Sequence, residues 1–195
     1  MGKLRFNFGT MNSGKTALLL MEAYSYESQG KKVLAMKPVL DTRSETIKSR
    51  VNIEGRQCVP IPLDMDLYEF MLYDNRWVDV DYIIIDEGQF LTQPQVKQLN
   101  EVSERLDINV IVYGLKNTFI SGKLFEGSKA LLFYADELSE IETSCQYCDR
   151  PAKQNLLMIN DEPVYAGEVV QIGDVKGEKR YVQVCNKHYM EGKDK

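Results

Sequence analysis

Residues 9–16 read Gly-Thr-Met-Asn-Ser-Gly-Lys-Thr, two glycines followed by a lysine and a hydroxyl at the spacing Gly-x4-Gly-Lys-Thr. Gly9 and Gly14 let the backbone curl so that the N–H groups of Thr10, Met11, Asn12, Ser13 and the residues after them turn inward toward phosphate oxygens. Lys15 would neutralise the β- and γ-phosphates of a nucleotide, and the Thr16 hydroxyl would coordinate magnesium. Such a loop needs an acidic partner at the end of an apolar strand, and Tyr82-Ile83-Ile84-Ile85-Asp86 supplies one, with Asp86 facing the metal. Glu87, Gly88 and Gln89 follow directly and complete the nucleotide side of the site. The loop is read as a binder of ATP with magnesium.

The fate of the terminal phosphate turns on Glu87. In a mechanical ATPase, an acidic residue at this position orients water; in a kinase it takes a proton from an acceptor hydroxyl. A helicase-type motor needs a second nucleotide-gripping lobe and a basic track, for which this chain is too short and too acidic. A GTPase would carry Asn-Lys-x-Asp to read guanine; Asn186-Lys187-His188-Tyr189 lacks the aspartate. A small-molecule kinase and an ATPase of another purpose remain.

A second chemistry sits near the C-terminus. Cys145-x2-Cys148 and Cys185-x2-His188 are two short clasps, each able to bite one ion, and together they complete a tetrahedron of three thiolates and an imidazole. The gap between the clasps exceeds zinc-ribbon spacing, and reduced thiols beside a surface histidine are the alternative. A metal held by four protein ligands is closed, hence structural zinc rather than a catalytic ion. Cys58 belongs to no motif and reads as a lone thiol.

The elements that must position these residues follow from periodicity. Leu4, Phe6 and Phe8 alternate with polar residues as a strand does, and the glycine loop comes next. Residues 16–30 then form a helix stopped at Gly30, with Ala17, Leu20, Met21 and Tyr24 on one face. Strands are expected over 31–39, 59–62, 80–85 and 110–113, with helices over 65–74 and 93–107, the latter carrying an apolar stripe of Val96, Leu99, Val102 and Leu106. Strands alternating with helices predict an α/β fold with a parallel sheet. Residues 41–57 read as a loop or short hairpin. Past residue 140 the pattern turns β-rich, which divides the chain into a nucleotide-binding α/β domain over 1–142 and a small β-rich zinc lobe over 143–195.

The chain has 195 residues, 44% of them apolar and 27% charged, with a net charge of −5. That acidity gives no general footprint for nucleic acid. The longest apolar run is far short of a membrane span, and the N-terminus lacks a secretory pattern, so a cytoplasmic protein with no membrane partner is expected.

The ordered set GTMNSGKT (9–16), DTR (41–43), Ser49-Arg50, DEGQF (86–90), GLKNTF (114–119), CQYC (145–148) and CNKH (185–188) resembles the thymidine kinases that bear a zinc lobe, nearly end to end. The resemblance implies transfer of the γ-phosphate of ATP to the 5′-hydroxyl of thymidine or deoxyuridine. It implies that Glu87 is the base and that Arg43 lies near the transferred phosphate, with Asp41 in the same loop. It also implies a thymine pocket of Met11, Phe90, Leu115, Phe119 and Phe125, and a covering lasso in which Gln171, Ile172 and Gly173 meet the base and Tyr181 contacts the substrate. A homotetramer inhibited by thymidine triphosphate is implied as well. Three residues depart from the family pattern: Lys116 replaces a frequent Asp, Asn155 a frequent Thr beside the thymine methyl, and Asp174 the second glycine of an Ile-Gly-Gly. The alternative is a P-loop ATPase module whose zinc ribbon binds nucleic acid.

Overall fold

The computed structural model describes residues 1–39, 46–167 and 179–192. Through residue 141, the elements run β1 (Leu4–Gly9), α1 (Lys15–Ser28), β2 (Val33–Pro38), β3 (Thr46–Ile47), β4 (Arg56–Gln57), β5 (Val59–Ile61), α2 (Leu67–Tyr73), β6 (Tyr82–Ile85), α3 (Gln93–Leu106), β7 (Asn109–Leu115), α4 (Glu126–Tyr134) and β8 (Glu137–Ile141). Six of these strands form one sheet in the order β5-β2-β6-β7-β1-β8, every pair parallel. All carboxyl ends therefore lie along one edge. That edge is where open parallel sheets bind ligands.

Strands covered on both faces need apolar residues at successive positions, and Ile83, Ile84 and Ile85 are all fully buried. Leu34, Met36, Ile83 and Ile85 point toward α2, α3 and α4, packing with Leu67, Val96, Leu99 and Leu131. Ala35, Ile84, Ile111 and Tyr113 point the other way, toward Leu19, Leu20 and Ala23 of α1 and Ile47 of the β3–β4 hairpin. The described part of the 41–57 segment is thus a short hairpin.

The face of α1 differs from the expected one. Leu19, Leu20 and Ala23 are buried, whereas Met21 and Tyr24 are 58% and 73% exposed. Apolar side chains run around the whole of TALLLMEAY, so periodicity alone could not fix the stripe, and docking on the sheet selected the turn that follows from Lys15. By contrast, α3 buries Val96, Leu99 and Val102 as its pattern demands.

Beyond residue 141 come β9 (Ser144–Cys145), β10 (Cys148–Pro151), β11 (Gln154–Ile159), β12 (Glu162–Val164), β13 (Lys179–Val184) and α5 (Asn186–Glu191). These strands pair antiparallel as β10-β9 and as β12-β11-β13. Leu156, Met158, Val182, Val184 and Tyr189 form a core of their own.

Helix α3 begins with a reciprocal cap in which the Thr92 hydroxyl accepts from Gln95 N and the Gln95 carbonyl oxygen accepts from Thr92 N at 3.1 Å. The buried Gln95 amide also donates to the Pro62 carbonyl at 2.7 Å, fastening the end of β5 to the helix. Gln95→Leu leaves the Thr92 N–H unpaired and removes the side-chain donor to the Pro62 carbonyl, which keeps only Met65 N at 3.2 Å, and is expected to lower unfolding stability by about 2–3 kcal/mol. Thr92→Ala, which loses only the cap, is expected to cost about 1 kcal/mol. Urea unfolding of both variants checks the order; equal losses would refute the second anchoring role of Gln95.

Candidate active site

The turn after β1 requires a backbone that other residues resist. A Cβ on Gly9 would meet the Ser13 hydroxyl oxygen at 2.5 Å and the Ile141 carbonyl oxygen at 2.8 Å, and Gly14 holds φ 78° at the N-cap of α1. No side chain caps the first turn of α1 and no acidic residue lies in it, so its N–H donors and dipole face the loop unclaimed. The Lys15 ammonium folds back onto its own loop, donating to the Thr10 carbonyl at 2.6 Å and the Ser13 hydroxyl at 3.3 Å. The Thr10 hydroxyl is buried without a hydrogen-bond partner. A ring of donors and one orphaned hydroxyl is the cradle that phosphate oxygens fit.

Thr16 and Asp86 come together as the sequence pattern requires. The Thr16 hydroxyl donates to Asp86 Oδ2 at 3.0 Å, and Glu87 N donates to Oδ1 at 3.0 Å. Burial, and after it the adjacent Glu87 carboxylate, pushes Asp86 up to about 6, against the hydrogen bonds from Thr16 and Glu87 N and the charge of Lys37. Burial brings Lys15 down to about 8, against the pull of Glu87 and Asp86, with Arg50 adding to the fall. A buried carboxylate beside a hydroxyl is a donor set that suits magnesium.

Glu87 sits at φ 55°, ψ 35°, the left-handed region that a non-glycine residue enters at a cost of about 1–2 kcal/mol. Its carboxylate accepts from the Gln89 amide at 2.5 Å, while the Gln89 carbonyl oxygen accepts from Leu115 N at 2.9 Å. Gln89 is 2% exposed. The structure therefore places Gln89 behind Glu87, bracing it against the end of β7. The Leu115 carbonyl in turn accepts from the Ser128 hydroxyl at 2.5 Å.

The aromatic residues fall into two pairs. Phe90 and Phe125 meet edge to face at 5.6 Å, and Phe119 and Tyr181 meet at 6.2 Å, with the Tyr189 hydroxyl donating to the Phe119 carbonyl at 3.0 Å. Phe119 is almost fully buried, as is Phe125, so each serves the core whatever else it touches. Met11 is partly buried and its N–H donates to Asn155 Oδ1 at 2.8 Å. Asp41, Arg43, Gln171, Ile172, Gly173 and Asp174 lie outside the described residues.

Pattern reading passed over the remaining side chains that face the loop. Asn155, noted there only as a departure, is 2% exposed and donates to the Asn117 carbonyl at 3.1 Å while holding Met11. Asn12 donates to Gln183 of β13 at 3.1 Å and accepts from Arg50 at 2.7 Å. Lys37, in β2, acts electrostatically on Asp86. The available signal was a lysine inside the otherwise apolar run Val33-Leu34-Ala35-Met36.

The cysteine–histidine cluster is assembled in full. The ligand atoms of Cys145, Cys148, Cys185 and His188 all lie within 4.8 Å of one another. His188 Nδ1 stands 3.3, 3.6 and 3.5 Å from the sulfurs of Cys145, Cys148 and Cys185, and the last two sulfurs are 3.9 Å apart. Zn–S bonds of about 2.3 Å at a tetrahedral angle set sulfurs about 3.8 Å apart, so the cluster is of a size that could hold zinc.

A family profile described as thymidine kinase matches residues 2–189, which takes in the phosphate loop, Asp86-Glu87 and the metal cluster together. The chain belongs to the thymidine kinase family. A thymidine kinase of Streptococcus agalactiae is 44% identical over 191 residues, 97% of this chain and 97% of its own. One from Streptococcus pyogenes is 43% identical over 192 residues with the same coverage. Membership makes the chain a phosphotransferase and leaves the nucleic-acid-binding alternative without support. Among the described residues, no helix is long and apolar enough to cross a membrane.

The buried Asp86 carboxylate carries an electrostatic penalty that can be measured. With Asp86 near 6 when folded and at 3.8 otherwise, the folded chain keeps a proton between those values that the unfolded chain has lost. Stability from this group thus falls as pH rises through that window and stays low above it. Asp86→Asn is expected to raise unfolding stability at pH 7, by up to about 3 kcal/mol at roughly 1.4 kcal/mol per unit, and to match the parent near pH 4. Urea titrations at both pH values check it. A variant no more stable at pH 7 would show that the buried charge carries no penalty.

Proposed function

We propose that this chain transfers the γ-phosphate of ATP to the 5′-hydroxyl of thymidine or deoxyuridine, making the monophosphate for salvage of DNA precursors. Residues 1–142 would bind the nucleotide and residues 143–195 would form the zinc-bearing lobe over the nucleoside. The observation that carries the reading is the Glu87 carboxylate, fixed by Gln89 next to Asp86 on the edge where the phosphate loop opens.

In this reading Gly9 to Thr16 hold the triphosphate on inward N–H groups, and Lys15 leaves the Thr10 carbonyl for the phosphates. Thr16 and Asp86 would hold magnesium, which when bound neutralises charge on the phosphate oxygens. Glu87 orients the 5′-hydroxyl and accepts its proton as that oxygen bonds to the γ-phosphorus; the bond to the β-phosphate oxygen breaks and ADP departs. A carboxylate already braced by Gln89 meets the hydroxyl without first being ordered, which is where a positioned base gains its rate. Arg43 would face the transferred group. Met11, Phe90, Leu115, Phe119, Phe125 and Tyr181 would enclose the nucleoside, with Gln171, Ile172 and Gly173 reading the base through their backbone. The enzyme would work in the cytoplasm as a homotetramer, restrained by thymidine triphosphate, which resembles acceptor and phosphates joined.

Incubation with ATP, magnesium and a panel of nucleosides is expected to convert thymidine and deoxyuridine to monophosphates. Glu87→Gln should bind ATP like the parent but turn over about 10²–10⁴-fold more slowly. A parent that leaves every nucleoside unchanged would refute the kinase reading, and a variant with parental turnover would remove Glu87 from the base role. Metal analysis of the purified parent should find one zinc per chain, and Cys148→Ser should lose both that zinc and several degrees of melting temperature. A metal-free parent, with the serine variant equally stable, would reduce the cluster to ordinary thiols.

A further inference from the structure

β2 carries a lysine near its end that makes no close ion pair with a described residue. Lys37 stands between fully buried Met36 and buried Pro38. Leu34 and Met36 pack toward α2, α3 and α4, and Ala35 packs toward α1. Alternation along the strand puts Lys37 on the α1 face. Asp86, two residues past Ile84, lies on the same face, as its bond to Thr16 requires. β2 and β6 run side by side with Met36 against Ile85, and Asp86 N donates to the Met36 carbonyl at 3.2 Å. Lys37 is therefore the neighbour of Asp86 across one strand spacing, about 4.8 Å at the backbone.

Its charge is felt by Asp86, yet no carboxylate of a described residue comes within the 4.0 Å ion-pair distance of the Lys37 ammonium. Lys37 is half-buried, so its ammonium reaches the edge where the strands end and can meet an anion there. The sheet order shows where that anion would come from. The phosphate loop ends β1, the Thr16–Asp86 pair stands at the end of β6, and Lys37 lies one strand further out. A triphosphate that ran from the loop past Asp86 would present its last phosphate to Lys37.

We propose that Lys37 is a second phosphate-facing cation, contacting the terminal phosphoryl group of the bound nucleoside triphosphate while Lys15 serves the phosphates cradled by the loop. This rests on the ATP-dependent kinase reading above. Two cations on opposite sides of the group in transit would hold it in line between the β-phosphate and Glu87, and would offset the charge that Asp86 and Glu87 place beside it.

Calorimetric titration with magnesium-ATP and with magnesium-ADP, without nucleoside, tests the assignment. In Lys37→Met, ATP affinity should fall about 10- to 100-fold while ADP affinity changes by less than about threefold, the loss of one charge-assisted contact to the terminal phosphate alone. Lys37→Arg should recover part of the ATP preference, and Lys37→Gln should repeat the loss if the methionine variant folds poorly; melting curves show which variants are folded. Equal weakening of both nucleotides would make Lys37 a charge partner of Asp86 only, and unchanged affinity for both would also overturn the proposal. A parent that phosphorylates no nucleoside while its ATP preference still depends on Lys37 would sink the kinase reading and leave this inference standing.

Discussion

The bond from the Thr16 hydroxyl to Asp86, 3.0 Å long, joins the start of α1 to the end of a strand two places away in the sheet. Every other part of the site takes its place from that junction. It can form only because the strands are parallel and end together, so that the loop after β1 and the residue after β6 arrive on one edge. Parallel pairing in turn requires covered faces, which the run Ile83-Ile84-Ile85 supplies to both sides. An apolar core therefore fixes where a carboxylate and a hydroxyl meet.

That meeting runs against the stability of the folded chain. Asp86 is 4% exposed and carries Glu87 as its neighbour, so its charge is disfavoured where it stands. Glu87 adds a left-handed backbone. Each cost is local and sits where phosphate oxygens and a metal would offset it, which is how strained and unpaired groups come to mark functional sites. Gln89 shows the compensation: its two amide ends meet Glu87 and Leu115, so the strained residue is tied to a rigid strand instead of being left free.

Much of this was legible in the residues. Period-2 and continuous apolar runs placed β1, β2, β6 and β7, and the glycine spacing with Asp86 brought Thr16 and Asp86 together, because those signals depend on local backbone rules. The four metal-cluster residues were legible for the same reason: two short clasps with few alternative partners. The exposed side of α1 was not, since Leu18, Leu19, Leu20 and Met21 give every direction an apolar residue and only docking decides. Helix α4 escaped because EGSKALLFY is short and its neighbour contacts do the selecting. Nor could the bracing bonds of Gln89 be read: they depend on Leu115, which is distant in sequence and adjacent only through the fold.

The lobe that carries the cysteine–histidine cluster reaches the phosphate loop by side-chain amides. Asn155 of β11 holds Met11 N, and Gln183 of β13 holds Asn12, two consecutive residues in the middle of the loop. β11 and β13 pair residue for residue, Asn155 opposite Gln183, so both contacts move as one. The strands are anchored at that same end, where Cys185 directly follows Val184 of β13 and Cys148 opens β10. Asn155 is buried and both ends of its amide are engaged, so any displacement of β11 would strand the Met11 N–H and the Asn117 carbonyl without partners. A metal bound at Cys145, Cys148, Cys185 and His188, far along the chain from residues 9–16 and with no part in the chemistry, would in this way set the shape of the glycine loop.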